Sequence, residues 1–285
     1  MILLSPAKVN LFLKVLRKRR DGYHEIQTLF ERIRLFDELE FSPAPSGIRV
    51  ESDVKSLPEG PKNLAYQAAW LLKEELGIQK GIRIRIRKRI PVSAGLGGGS
   101  SNAATVLLGL NRLWNLGLSK RRLLFLAARL GSDVPFFVLE TPFALGEGRG
   151  EILRVLDHPG FAFWHCIVKP RFGLSTKAMY DSLTPSSLTP LKVNVKMLFR
   201  SLQEGDSKRL SKFLINSLEG VHHKRVAAIS KIKRELLAQG ALAGLMSGSG
   251  SAVFGLFRSQ EAAERAARFF KTKRPQWQVF AVSTF

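Results

Sequence analysis

Residues 91–105, Pro91-Val-Ser-Ala-Gly-Leu-Gly-Gly-Gly-Ser-Ser-Asn-Ala-Ala-Thr105, set the architecture of this chain. Before them runs Ile82-Arg-Ile-Arg-Ile86, whose strict alternation predicts a half-buried strand. After them, Val106, Leu107, Leu110 and Leu113 fall at helical spacing and predict a helix over 103–114. The order is strand, glycine loop, serine caps, helix. Gly95, Gly97, Gly98 and Gly99 permit positive φ and leave no side chain in the way of a ligand. Amides converging on a helix N-terminus suit an anion. Ser100 and Ser101 stand where N-caps are favoured. A tight turn is the bland alternative, but the glycines exceed what a turn needs, so the loop is read as a phosphate cradle.

Three familiar phosphate loops fail. No GxxxxGK[ST] occurs and no lysine follows these glycines, which excludes a P-loop. A dinucleotide fingerprint has Ser100 where its third glycine belongs and no acidic residue over 115–120. A protein-kinase loop lacks its HRD and DFG companions.

Outward from the loop, Leu3–Val15 and Ile26–Ile33 read as strands joined by a turn at Arg20-Asp-Gly22. Helices are expected at 63–76 and at 121–130 after a Ser119 cap. A buried segment follows at 134–139, and then a glycine turn at 144–150. Beyond Asp157-His-Pro-Gly160, taken as the boundary between domains 1–157 and 158–285, come a strand at 161–168 and helices near 175–182, 193–202, 207–219 and 224–239. A strand at 252–257, a helix at 260–271 and a strand at 276–282 finish the chain. Without regular βαβ alternation, the class is α+β.

Composition narrows the function. The 285 residues, 45% hydrophobic and 24% charged, describe a globular protein with a sizeable core. No apolar run reaches the ~18–20 residues of a membrane span, and Met1-Ile-Leu-Leu is too short for a signal core. The lone Cys166, in an apolar run, reads as a buried small hydrophobe in a reducing cytoplasm. Lys and Arg number 45 against 23 acidic residues, a net charge of +22 that puts nucleic-acid binding among the readings. The basic residues are dispersed, however, at 17–20, 83–89, 120–122 and 271–274, without an RNA-binding signature. A solvated surface that also steers anionic nucleotides is preferred, with no specific nucleic-acid or membrane partner. His222-His223 lacks a third ligand at metal spacing and reads as a helix start, so no metal ligands are assigned.

Pro91 to Ala104 resembles the second motif of the galactokinase, homoserine kinase, mevalonate kinase and phosphomevalonate kinase (GHMP) superfamily. Ser5-Pro-Ala-Lys-Val-Asn-Leu-Phe-Leu13 resembles its first motif and Ser247-Gly-Ser-Gly-Ser251 its third. The resemblance implies two domains, the first ribosomal-protein-S5-like and the second a ferredoxin-like α/β domain. Within the superfamily, Asp21-Gly-Tyr-His-Glu25 and Gly131-Ser-Asp-Val-Pro-Phe-Phe137 are most similar to the branch acting on a cytidine-diphosphate-linked methylerythritol in non-mevalonate isoprenoid synthesis. That branch implies phosphorylation of the substrate's 2-hydroxyl by ATP with Mg²⁺, in a monomer or homodimer. A homoserine- or mevalonate-type kinase and a basic RNA-binding protein on a related fold are the rival readings.

The resemblance also distributes roles. Asn63, Pro91, Gly95, Leu96, Gly97, Gly98, Gly99, Ser100 and Ser101 are expected around ATP, Asn63 near the adenine. Lys8, a charge in an otherwise apolar stretch that needs an acidic or phosphate partner, is expected to form the catalytic pair with Asp133. Two roles stand open for Asp133 at the reaction, taking the alcohol proton or orienting the hydroxyl; a cap on the following segment is its structural alternative. Asn10 is expected to hold the methylerythritol, Tyr23 and His24 to read cytosine, with His24 on its edge, and Phe30 and Tyr180 to stack on its ring. Core packing is the alternative for each aromatic. Gly248 and Ser249 are expected near substrate phosphates, or else form a plain turn. Two departures stand out: Ser93 replaces a usual glycine, and Asn216-Ser-Leu-Glu219 replaces the usual Asn-Asp-Leu-Glu.

Overall fold

The computed structural model describes residues 1–158, 160–184, 188, 193–221 and 225–285; His222 and His223 lie outside them. Strands β1 (Ile2–Lys18) and β2 (His24–Ala44) form a long hairpin. They are followed by β3 (Ile48–Ser52), α1 (Leu64–Leu76), β4 (Gly81–Arg87), α2 (Gly98–Leu113), α3 (Lys120–Leu130) and α4 (Val134–Leu139). Then come β5 (Phe143–Glu147), β6 (Ile152–Val155), β7 (Trp164–Lys169), α5 (Thr176–Asp181), α6 (Val195–Glu204), α7 (Ser207–Phe213) and α8 (Val226–Ala238). The chain finishes with β8 (Ala243–Met246), β9 (Val253–Phe257), α9 (Gln260–Lys273) and β10 (Gln278–Ser283). Among the described residues no helix is long and apolar enough to cross a membrane.

Contacts group the chain by interleaved segments rather than at the single boundary read from the sequence. One unit holds 1–7, 35–92 and 97–141; the other holds 8–34, 93–96 and 142–285. In the first, β4 lies antiparallel to β2 from Glu38 to Ala44 and parallel to β3. Its alternation is the one the sequence shows: Ile82, Ile84 and Ile86 are fully buried while Arg83, Arg85 and Arg87 face solvent. Those arginines meet Glu51 and Glu38 at 2.8 Å and Glu40 at 3.8 Å, so part of the positive charge is a neutralised sheet surface. The apolar sides of α1, α3 and α4 pack around α2.

The second unit contains a four-stranded antiparallel sheet in the order β10-β7-β9-β8. With α8 and α9 this is the ferredoxin-like arrangement, strand-helix-strand-strand-helix-strand. Its core includes Cys166, Val168, Ile229, Ile232, Leu236, Val253, Phe257 and Phe270. Burial pushes the Cys166 thiol up to about 12, so it is an inert packing residue.

Four local expectations are corrected. Helix α2 begins at Gly98, and its cap is Gly97 at φ +70°, with no side chain capping it. Ser100 and Ser101 therefore lie inside the first turn, where Ser101 Oγ accepts a hydrogen bond from Ser5 Oγ at 2.8 Å. The segment 144–150 opens as strand β5, paired with Thr28–Glu31, before its glycine turn. Helix α7 stops at Phe213 instead of running to 219. Strands β3, β6 and β8 carry no signal in the sequence reading.

Candidate functional site

In the first unit the glycine loop ends on a buried polar lattice. Asp37 falls on the buried side of β2, in register with Leu35, Leu39 and Phe41, and is fully buried itself. Its Oδ1 accepts the backbone N–H of Arg89 and of Ile90, both at 2.8 Å. Its Oδ2 accepts Asn102 Nδ2 at 2.9 Å and the ammonium of Lys88. One carboxylate thus ties the residues just before Pro91 to the first turn of α2. Burial lowers the Lys88 pKa, against which Asp37 acts. A Cβ on Gly98 would lie 2.8 Å from Lys88 Nζ, so the helix start needs glycine there.

The first turn of α2 leaves backbone amides without intrahelical partners. The first intrahelical bond in α2 runs from Ser101 N to Gly97 O at 2.8 Å. The amides of Gly98, Gly99 and Ser100 precede it and have no partner inside the helix. Gly99 and Ser100 are not buried. Asn63 caps α1: its Oδ1 accepts Ala65 N at 2.9 Å while its Nδ2 donates to Pro58 O at 2.8 Å. The next residue, Leu64, comes within 3.6 Å of a Cβ built on Gly99, so the Asn63 corner adjoins the glycine helix. Asp133 directly precedes α4, and its side chain makes no capping hydrogen bond to that helix.

In the second unit β1 carries Lys8 and Asn10 on the same strand face. Lys8 is 3% exposed, and its Nζ donates to Asn10 Oδ1 at 2.6 Å. Asn10 Nδ2 donates to Thr28 Oγ1 at 2.7 Å, and that hydroxyl donates to Phe12 O at 2.6 Å. The chain of bonds fixes which end of the Asn10 amide faces the ammonium. Phe30, 1% exposed, lies with its ring centre 5.5 Å from Lys8 Nζ.

The third glycine loop closes on this pair. A Cβ on Gly248 would stand 3.2 Å from Asn10 Oδ1 and from Gly95 O, and 3.4 Å from Lys8 Nζ. Gly248 also sits at φ +54°. Gly95, at φ +75°, leaves only 2.0 Å between its absent Cβ and Ser247 O, so no other residue fits. Ser247 Oγ donates to Gly95 O at 2.9 Å, and Lys8 N donates to Leu96 O at 3.0 Å. Gly95, Leu96, Lys8, Asn10 and Gly248 are thereby one cluster.

A second cluster gathers the aromatics. The His24 and Tyr180 rings lie 5.3 Å apart at 32°. Burial, with the Lys18 charge second, holds the His24 imidazole below its ordinary pKa, while Asp181 acts the other way. Tyr23 is exposed, and its ring lies 4.8 Å from the Arg149 guanidinium. Helix α5, which carries Tyr180, meets the third loop through Thr176 Oγ1 and Ser249 Oγ at 2.7 Å.

Two groups escaped the sequence reading. Asp37 is one, although a carboxylate in step with Leu35, Leu39 and Phe41 signals a buried charge with a dedicated partner. Asn216 is the other. Among the described residues, no three His, Cys, Asp or Glu side chains come together as metal ligands.

Comparison with known proteins gives the lineage. Residues 63–141 match the model of the GHMP kinases N terminal domain, and 198–276 that of the GHMP kinases C terminal domain. A protein of Pelotomaculum thermopropionicum named 4-diphosphocytidyl-2-C-methyl-D-erythritol kinase is 43% identical over 285 residues, covering 99% of this chain and 97% of its own. A crystal structure of a 4-(cytidine 5'-diphospho)-2C-methyl-D-erythritol kinase superposes with a TM-score of 0.86 at 38% identity, covering 100% of this chain and 99% of the other. A homoserine kinase from Cytophaga hutchinsonii has the same fold, with a TM-score of 0.71 at 21% identity over 100% of this chain and 94% of its own. With full-length identity above 40%, this chain belongs to the GHMP kinases and, within them, to the 4-diphosphocytidyl-2-C-methyl-D-erythritol kinase family.

Proposed function

We propose that this protein transfers the γ-phosphoryl group of ATP to the 2-hydroxyl of 4-diphosphocytidyl-2-C-methyl-D-erythritol, a cytoplasmic step of non-mevalonate isoprenoid synthesis. The observation that carries the reading is the convergence of Gly248 on a buried Lys8–Asn10 pair. A lysine held in place by Asn10 and overlain by a glycine loop is suited to balance charge on a reacting phosphoryl group.

The roles follow from chemistry. The amides of Gly98, Gly99 and Ser100 and the positive end of α2 hold the triphosphate. Lys8 balances charge on the group in transfer and helps place the hydroxyl. Asp133 receives the proton the hydroxyl gives up as its oxygen bonds to phosphorus and the bond to ADP breaks. A loose transition state asks little of a base, so orienting the hydroxyl is the larger part of its work. Mg²⁺, bound mostly by phosphate oxygens and water, neutralises charge on ATP. A neutral His24, with Tyr23 beside it, offers a donor and an acceptor to the cytosine edge, and Phe30 and Tyr180 supply ring faces. Residues 1–157 hold ATP, with their hairpin 11–32 also lining the substrate site, and 158–285 act mainly on the alcohol.

The test is ADP release by the purified protein with ATP and Mg²⁺, comparing the cytidylyl alcohol with homoserine and mevalonate. Release with the first alone is expected. Release with either of the others and not with the first overturns the assignment.

A further inference from the structure

The Asn216–Glu219 segment, which departs from its family's pattern at Ser217, touches both halves of the Lys8 cluster. Toward β1, Leu13 N donates to Ile215 O at 2.8 Å and Val15 N to Ser217 Oγ at 3.0 Å. Toward the third loop, Asn216 Nδ2 donates to Met246 O at 2.9 Å and to Gly248 O at 2.7 Å. Asn216 Oδ1 accepts Leu218 N at 2.9 Å, and Glu219 accepts Met246 N at 2.6 Å as well as the Lys233 ammonium. Asn216 is 5% exposed. Both of its amide hydrogens and its oxygen are committed, so its orientation is fixed by its partners.

We infer that Asn216 is a positioning residue: it holds the Gly248 backbone at the distance from Lys8 and Asn10 at which a phosphorylated substrate is gripped. The inference rests on the reading of this cluster as the substrate site. A single bracket spans the strand that carries the ammonium and the loop that lies over it. The Gly248 carbonyl is held by Asn216 Nδ2. At 217 serine supplies the acceptor for Val15 N. At 216 two donors are required, and aspartate would set a carboxylate against two carbonyl oxygens, with repulsion in place of both bonds.

Asn216→Asp therefore tests the idea with almost no change of shape. Misplacing a binding group by about an ångström costs on the order of a hundredfold, so kcat/KM for the cytidylyl alcohol is expected to fall by that factor. KM for ATP stays at its wild-type value. Leu218→Ala is the comparison: it removes a fully buried side chain from the same segment without touching the loop, and should lower Tm while keeping the activity of the folded enzyme. Amide hydrogen exchange of the 247–251 peptide, read without any substrate, should speed up in Asn216→Asp and not in Leu218→Ala. Should Asn216→Asp not fold, Asn216→Ala removes the same two bonds without adding charge. Wild-type kcat/KM in the Asn216 variant, equal losses toward both substrates in step with Leu218→Ala, or unchanged exchange at 247–251 overturns the inference. A wild-type protein inert toward the alcohol overturns the substrate reading instead, and the exchange result then decides the role of Asn216 by itself.

Discussion

Lys8 Nζ and Asn10 Oδ1 are 2.6 Å apart on one face of β1, and Gly248, at φ +54°, lies over them where a Cβ would come within 3.2 Å of Asn10 Oδ1 and 3.4 Å of Lys8 Nζ. Asn10 orients the ammonium through a neutral acceptor. A carboxylate in place of Asn10 would satisfy Lys8 permanently and compete with phosphate.

Lys8→Ala and Asp133→Ala should each impair turnover while leaving the nucleotide in place. Loss of the charge that meets the moving phosphoryl group is expected to lower kcat by about a hundredfold or more. Loss of the proton acceptor is expected to cost about 10²–10⁴-fold. KM for ATP should stay near wild type in both, because the amides of α2 are untouched. Steady-state ADP release measures this, and near-wild-type kcat in either variant removes that residue from the reaction.

Binding of the cytidylyl alcohol should depend on pH through His24. Its pKa in the folded protein lies below the ordinary 6.5, mainly through burial, so the imidazole is neutral at neutral pH. As the pH falls, the unfolded chain takes up the proton before the folded one does. His24's contribution to stability is therefore full above 6.5 and is lost as the pH falls through the lower folded-state value. If the neutral ring reads cytosine, KM for the alcohol is flat above 6.5 and rises on further acidification. His24→Gln should abolish that rise, and tighter binding at low pH would contradict the role.

Asp37→Ala strands a buried Lys88 ammonium and three further donors. Breaking one side of a buried pair costs about 3–5 kcal/mol, so a large fall in Tm is expected, together with weaker ATP binding as the ends of the glycine loop separate. Adding Lys88→Met removes the uncompensated charge and should recover part of the loss. A double variant less stable than Asp37→Ala alone would show that the pair is not the source.

Ser93 adopts φ +53°, a conformation costly for a residue with a Cβ. Relief of that strain is worth about 1–2 kcal/mol, and the extra freedom glycine gives the unfolded chain removes about 0.5–1 kcal/mol. Ser93→Gly should thus be stabilising by up to about 1.5 kcal/mol, seen as a higher denaturant midpoint at constant slope. A lower midpoint would mean that the Ser93 side chain holds the loop.

Much of this was legible in the sequence where one local rule acted alone. Ile82–Ile86 alternates and is a strand; Ser119 caps α3 by accepting Arg122 N at 3.2 Å, as its position implied. The misses occur where tertiary partners override the local pattern. Glycine's low helix propensity pushed the expected start of α2 five residues late, to Ala103; the Asp37 lattice and the left-handed Gly97 hold the helix open from Gly98. The apolar spacing of Leu210, Leu214 and Leu218 continues beyond the true end of α7, because Asn216 and Ser217 trade helical bonds for bonds to the third loop and β1. Short strands such as β8, whose partner β9 follows a glycine-rich loop, have too few residues to show a period.

The account stands or falls on where the reacting groups meet. A crystal structure with a non-hydrolysable ATP analogue and the cytidylyl alcohol should show the triphosphate on the amides of Gly98 to Ser100. The 2-hydroxyl should lie within hydrogen-bonding reach of both the Lys8 ammonium and the Asp133 carboxylate. A triphosphate bound away from α2, or a hydroxyl out of reach of that pair, would contradict it.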